Sequence, residues 1–255
     1  VTSRSAVVTK FTPRSQSWSS EMGKAGRWVV GRFRDIGYEV LNVDWAHDGS
    51  GHGLCLVTDL TDPGQAYDAL AGAHAVVHLA AIPAPEVRPV AETFRINMMS
   101  TYTVFSAAAQ LRLERVVWAS SETLIGIPFQ HEQPRYAPID EEHPRLPESH
   151  YALSKLAGEV IAGQFSRWSG IPFVALRISN IMEEWEYEDR FPGFFDNPIV
   201  RAWNLWGYVD ARDVAIISPS PPARVLLDLF LRPSVMLNAH NRKAAGLRAE
   251  ANRGA

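Results

Sequence analysis

A doubly wound parallel α/β sheet is the fold this sequence predicts, followed by a smaller and apparently incomplete C-terminal part. Two observations predict it. From residue 23 to about residue 180, short apolar runs alternate with longer stretches of helical period. That is the signature of parallel βαβ units joined by right-handed crossovers. In addition, Gly23-Lys-Ala-Gly26 opens the first clear helix, and an aspartate, Asp44, ends the strand after it. A glycine-lined helix start next to a strand suits a bound anion.

The elements follow in order. Val29, Val30, Phe33 and Ile36 form one apolar stripe of a helix that Gly37 closes. Tyr38 to Asp44 (YEVLNVD) reads as a buried strand and Leu54 to Val57 as a short one. Asp62-Pro63 marks a helix start, because proline tolerates the first helical position, and this helix ends near Gly72. Ala75 to Ala80 is the next strand, Pro89 to Gln110 a long helix, and Arg115 to Ser120 (RVVWAS) a further strand. A helix carrying Tyr151 and Lys155 runs to about Trp168 with Gly170 as its stop, and Pro172 to Ile178 is the last clear strand. Before residue 23 the chain is polar and serine-rich, and only Ala6 to Thr9 reads as a strand. After about residue 214 the alternation stops: Ser218-Pro-Ser-Pro-Pro222 is a breaker run, followed by one apolar helix-like stretch, Val225 to Leu231.

Composition narrows the function. With 46% apolar and 21% charged residues this is a globular chain able to bury a core. A net charge of −3 gives no electrostatic case for nucleic acid or an anionic membrane as partner. Cys55 is the only cysteine, which excludes an intramolecular disulfide, and the eight histidines lack paired ligand spacing, so no metal site is expected. No apolar stretch approaches membrane-spanning length and no signal-peptide core opens the chain, so a cytoplasmic setting is expected.

The chemistry concentrates in Tyr151-Ala-Leu-Ser-Lys155, which lies 30 residues after Ser121. On a helix, side chains four apart share a face about 5–6 Å apart. A unit charge at about 4 Å with an effective dielectric near 20 is worth about 4 kcal/mol. At about 1.4 kcal/mol per unit, that suffices to move a phenol from about 10 towards 7, where it can exchange a proton at a carbinol or carbonyl. At the other end, Gly23 and Gly26 let backbone approach a pyrophosphate. Asp44, 18 residues beyond Gly26, stands where a carboxylate accepts hydrogen bonds from an adenosine ribose and disfavours a 2′-phosphate. NAD is therefore expected over NADP.

Taken together these residues resemble the extended short-chain dehydrogenase/reductase superfamily, in its branch of NAD-dependent epimerases and dehydratases, over about residues 23 to 214. Gly23 and Gly26 match the second and third glycines of its glycine motif. Asp59 with Leu60 matches its adenine-contacting acidic position, and His78-Leu-Ala-Ala81 resembles the loop under the cofactor. Asn97 in FRINMMST matches its helix asparagine, Ser120-Ser-Glu-Thr-Leu-Ile-Gly126 its serine strand end, and Arg177-Ile-Ser-Asn180 its Arg-x-x-Asn turn beside nicotinamide and substrate. The resemblance implies a Rossmann-like NAD-binding domain over 23–180 and a partial substrate-binding region over 181–255. It implies catalytic roles for Ser121, Tyr151 and Lys155. Cofactor contacts are implied at Gly23, Lys24, Ala25, Gly26, Asp44, Asp59, Leu60, Leu79, Ala80, Ala81, Asn97, Ala119, Tyr151, Lys155 and Ser179, and substrate contacts at Glu122, Asn180 and Arg212. The other reading of Ser121 is a cap at the strand end, and of Asn97 a core or helix-start residue.

The chain also departs from the pattern. Ser20 stands where the first glycine would be, Arg14 to Ser19 do not read as a buried strand, and the tail lacks a closing strand. Either Ala6 to Thr9 supplies the leading strand through a long inserted loop, or the phosphate loop is malformed. Both ends are expected to be divergent, truncated or read from a shifted frame, which the coding DNA in three frames would test. Glu122 and Thr123 replace the adjacent Asp-Glu of the dehydratases, which favours oxidoreduction or epimerisation of a sugar, sugar nucleotide or polyol over dehydration. Eight aromatics between 181 and 208, among Glu183, Glu184, Glu186, Glu188 and Asp189, read as a small-domain core, with a stacking surface over a sugar as the alternative. A non-catalytic dinucleotide-binding or regulatory protein, or an inactive remnant, is the rival reading. Helix pairs flanking the sheet could support a homodimer.

Overall fold

In the computed structural model of the chain, residues 5–9, 21–46, 55–218 and 235–237 are described. Among the described residues the sheet has seven parallel strands, of which the first six run in the order β3-β2-β1-β4-β5-β6: β1 (Ser5–Thr9), β2 (Glu39–Asp44), β3 (Cys55–Val57), β4 (Ala75–His78), β5 (Arg115–Ser121) and β6 (Phe173–Ile178). The order reverses between β1 and β4, so the crevice at their carboxyl ends is the topological switch point where ligands bind in such sheets. The strand anticipated at Ala6–Thr9 is β1, and it sits in the centre of the sheet. Residues 10–20, with Ser20 and the Arg14–Ser19 stretch, lie outside the described residues, as does Val225–Leu231.

Strand alternation builds two cores. Ala6, Val8, Val77, Val117, Ala119 and Leu176 face α1 (Glu21–Asp35). Val7, Val43, Val76, Val116, Trp118 and Phe173 face the other side, covered by α2 (Pro63–Leu70), α3 (Val90–Gln110) and α4 (His150–Ser169). Successive side chains on a strand point to opposite faces, which is why neighbours such as Val116 and Val117 serve different layers. On the second face Phe105 is the hub, with ring centroids 4.9 Å from Phe173 and 5.5 Å from Trp118. Asp62 caps α2 by accepting from Gln65 N–H, and Gly170 ends α4 in the left-handed conformation, as the sequence anticipates.

Several expectations need correction. Helix α1 begins at Glu21, so Gly23 and Gly26 lie inside its first turns instead of opening it, and Ile36 is exposed beyond its end. Strand β3 is a three-residue edge with Leu56 and Val57 exposed. A short closing strand does exist: β9 (Val235–Leu237) pairs in parallel with β6. Three residues carry too little pattern to be read beforehand. The C-terminal part holds β7 (Ile181–Met182) paired with β8 (Val209–Asp210), and the helices α5 (Glu184–Asp189), α6 (Phe191–Asp196) and α7 (Ala211–Ile217). Helix α7 belongs to the sheet's own layer, since Ala211, Val214 and Ala215 pack with Ala25, Val29 and Val30 of α1. The aromatics of 181–208 do not form a core: Trp185, Phe195, Trp203 and Trp206 are exposed, and α6 buries no residue.

Candidate active site

Strand β5 delivers Ser121 to the carboxyl edge of the sheet. Its Oγ accepts from the Thr123 N–H at 3.2 Å and from the Thr123 hydroxyl at 3.0 Å, capping the 3-10 turn Glu122–Ile125. A hydroxyl has two lone pairs and one proton, so both accepted bonds leave the Ser121 O–H to be donated. The capping role and the chemical role therefore coexist.

Ser149 starts α4 by accepting from Ala152 N–H at 3.0 Å, which puts Tyr151 in the first turn and Lys155 one turn on. Both are buried. The Lys155 ammonium donates to Ala119 O at 2.8 Å and lies 5.6 Å from the Tyr151 ring centroid. Burial alone pushes its pKa down from 10.5 to about 7. Beside it His78, held by Thr9 at 2.7 Å and Thr101 at 3.5 Å, is kept neutral: burial first, then the Lys155 charge, lowers its pKa to about 3.

Ser121, Glu122, Tyr151, Ser179 and Asn180 line one cavity of about 170 Å³, together with Pro83, Ala84, Pro85 and Trp203. Five residues singled out in the sequence thus meet at one place, with Lys155 behind Tyr151. Ser179 is buried, and its Oγ has no hydrogen-bond partner among the described residues. Such an orphaned buried hydroxyl is expected where a ligand supplies the missing bond.

Other singled-out residues stand around the switch-point crevice. Asp44 ends β2 with its side chain buried; Ala25 and Leu79 pack in the core on the α1 side, Leu60 and Ala80 in the core on the other side, and Ala81 is buried in the loop after β4. Asp59 accepts from Thr61 N–H at 2.9 Å and from its hydroxyl at 2.7 Å, shaping the turn that leads to Leu60. A carboxylate at the β2 end, small residues after β4, a buried ammonium and an orphaned serine hydroxyl fit a dinucleotide lying across the crevice. Three residues are turned to other duties. Asn97 accepts from Ile82 N–H at 2.7 Å and donates to Ile82 O at 3.1 Å, so it locks the β4 loop. The Lys24 ammonium reaches the fully buried Glu186 of α5 at 2.7 Å. Arg212 is held through two bonds of 2.9 and 2.8 Å by Asp210, the residue that caps α7, and is absent from the cavity lining.

A buried network escaped the sequence reading. Glu159 stands on the same stripe of α4 as Tyr151 and Lys155, each four residues on from the last. It accepts from Ser120 Oγ at 2.7 Å and from Arg177 at 3.0 and 2.9 Å. Arg177 is fully buried there, behind the cavity and away from its lining. The pair braces the three elements that carry the cavity's hydroxyls. A carboxylate in line with a Tyr/Lys pair on a buried helix face was the signal available for it.

The NAD dependent epimerase/dehydratase family matches residues 22–202. A uronate dehydrogenase of Pseudomonas syringae pv. tomato is 32% identical over 128 residues, which is 50% of this chain and 44% of that protein. A NAD-dependent glucose-6-phosphate dehydrogenase of Haloferax volcanii is 30% identical over 175 residues, 63% of this chain and 66% of that protein. The chain thus spans less than two thirds of either relative. Among solved structures, a UDP-galactose 4-epimerase is 27% identical with a TM-score of 0.58, covering 83% of this chain and 69% of its own. A short-chain dehydrogenase/reductase superfamily protein from Agrobacterium tumefaciens with bound NAD, 24% identical with a TM-score of 0.65, covers 84% of this chain and 72% of its own and shares the fold.

Proposed function

Because this chain belongs to the NAD-dependent epimerase/dehydratase family, we propose that it oxidises, reduces or epimerises a hydroxyl-bearing carbon of a sugar, sugar nucleotide or related polyol. The observation that carries the reading is the single cavity lined by Ser121, Glu122, Tyr151, Ser179 and Asn180, with the Lys155 ammonium buried next to the phenol. NAD, when bound, supplies the two-electron redox chemistry. Asp44 would hold the adenosine ribose, Ala80 and Ala81 would pass beneath the coenzyme, and Lys155 and Ser179 would meet its nicotinamide end.

The chain's own residues handle the proton. Ser121, whose acceptor side is occupied by Thr123, donates its O–H to the reacting oxygen and orients it. Tyr151 takes the hydroxyl proton in oxidation and returns it in reduction. An ammonium beside a phenol favours the phenolate, and that is the service of Lys155. Glu122 and Asn180 bind neighbouring hydroxyls of the substrate. The missing second acid at Thr123 leaves elimination unsupported. Residues 181–210 form the substrate side of the site.

Calorimetric titration of the whole chain with NAD and with NADP tests the reading. NAD is expected to bind and NADP to bind more weakly, since the Asp44 carboxylate repels a 2′-phosphate. Binding of neither coenzyme would contradict it.

A further inference from the structure

Trp203 lines the catalytic cavity yet remains half-exposed, and the turn that carries it is held against strain. Residues Pro198–Asn204 form a 3-10 turn, and Leu205 and Trp206 after it adopt φ of 54° and 55°. The left-handed region is unfavourable for a residue that carries a Cβ. Three bonds offset that strain. Arg201 and Asn204, both buried, donate to Gly207 O at 2.8 and 2.7 Å, and Trp206 donates from its indole to Pro198 O at 2.8 Å. The Arg201 guanidinium also stacks 5.6 Å from the Trp203 ring and 5.1 Å from that of Phe194, which backs the indole. Strain retained next to a reactive cavity points to function.

Charge narrows what the indole meets. The cavity lining holds one carboxylate, Glu122, and no lysine or arginine among the described residues. The arginines nearest in the chain are engaged elsewhere: Arg190 with Glu186 at 3.0 Å, Arg201 with the Gly207 carbonyl, Arg212 with Asp210. A phosphate or carboxylate in the cavity would face Glu122 with no lysine or arginine among the described lining residues to offset it. Its volume of about 170 Å³ is also below the roughly 300–1,000 Å³ typical of pockets for larger ligands.

Resting on the oxidoreductase reading above, we propose that Trp203 determines specificity for an uncharged monosaccharide. Its indole packs against the C–H face of the sugar ring, while Glu122 and Asn180 take the hydroxyls. Aromatic side chains supply such contact at low entropic cost.

Initial rates with NAD and a panel of neutral aldoses, uronates, sugar phosphates and sugar nucleotides test this in the full chain. A neutral aldose is expected to be the best substrate. Trp203→Ala should raise its KM roughly 10-fold, the scale of a contact worth about 1.4 kcal/mol, with a smaller change in kcat. Trp203→Phe should recover most of the lost affinity. Coenzyme affinity of both variants, measured by calorimetry, should match the parent and certifies the fold. An unchanged KM in Trp203→Ala, or preference for a charged sugar, overturns the inference and leaves the oxidoreductase reading standing. Turnover of no sugar at all removes both.

Discussion

Burial governs Lys155, and through it the pH response of the site. The folded ammonium titrates at about 7 and the unfolded one at 10.5, because burial penalises the charge. Between those values the unfolded chain holds a proton that the folded chain has released, so stability rises with pH across that window. Below about pH 7 the full penalty is present. Lys155→Met removes the titration and, at its worst, leaves the Ala119 carbonyl without its donor. In thermal melts without coenzyme, the Tm of Lys155→Met relative to the parent should be highest near pH 6 and fall steadily towards pH 10. A difference that does not change with pH would contradict this account. Ser121, Tyr151 and Lys155 were legible in the sequence because their geometry is local: one helical turn for the pair, one strand end for the serine. The duties of Lys24 and Asn97 were not, since they depend on Glu186 and on the Ile82 main chain, which no spacing around Lys24 or Asn97 encodes. Glu159 continues the Tyr151/Lys155 stripe, but its partners Ser120 and Arg177 lie on strands β5 and β6, which helix spacing does not encode.

At the level of elements, the approach of α4 to β5 positions the phenol and amine over the serine. Gly158 allows it: a Cβ there would stand 2.8 Å from Trp118 Cη2, on a ring buried against Phe105. Alanine in a helix gains about 1 kcal/mol over glycine, whereas overpacking a tight core costs about 1–3 kcal/mol. Gly158→Ala should therefore lower stability by up to about 2 kcal/mol in urea denaturation, despite its better helix propensity. A stabilised variant would show that the two elements have room to spare. The helices and central strands were readable from their periods, and Gly170 and Asp62 marked their ends. The start of α1 was misjudged because glycines usually precede a helix, and here they lie within it. The aromatic composition of 181–208 suggests a core, but its short helices have too little length to bury a continuous face.

For the molecule as a whole, the strand order β3-β2-β1-β4-β5-β6 assembles one crevice from segments far apart in the chain. Alternation and crossover handedness made this sheet legible, and of the two alternatives for its leading strand the structure has Ala6–Thr9 within β1. The return of α7 onto α1 and the pairing of β9 with β6 were not legible, because seven and three residues carry no decisive period. The account as a whole rests on a buried phenol and amine meeting a serine hydroxyl where the coenzyme's reactive end lies. Tyr151→Phe tests it most directly, by removing one hydroxyl from a packed ring. With NAD and the best sugar substrate, kcat should fall by about 100-fold or more, the scale of general acid–base catalysis, while NAD affinity measured by calorimetry stays within about twofold of the parent. Turnover retained at the parent's level would contradict the account.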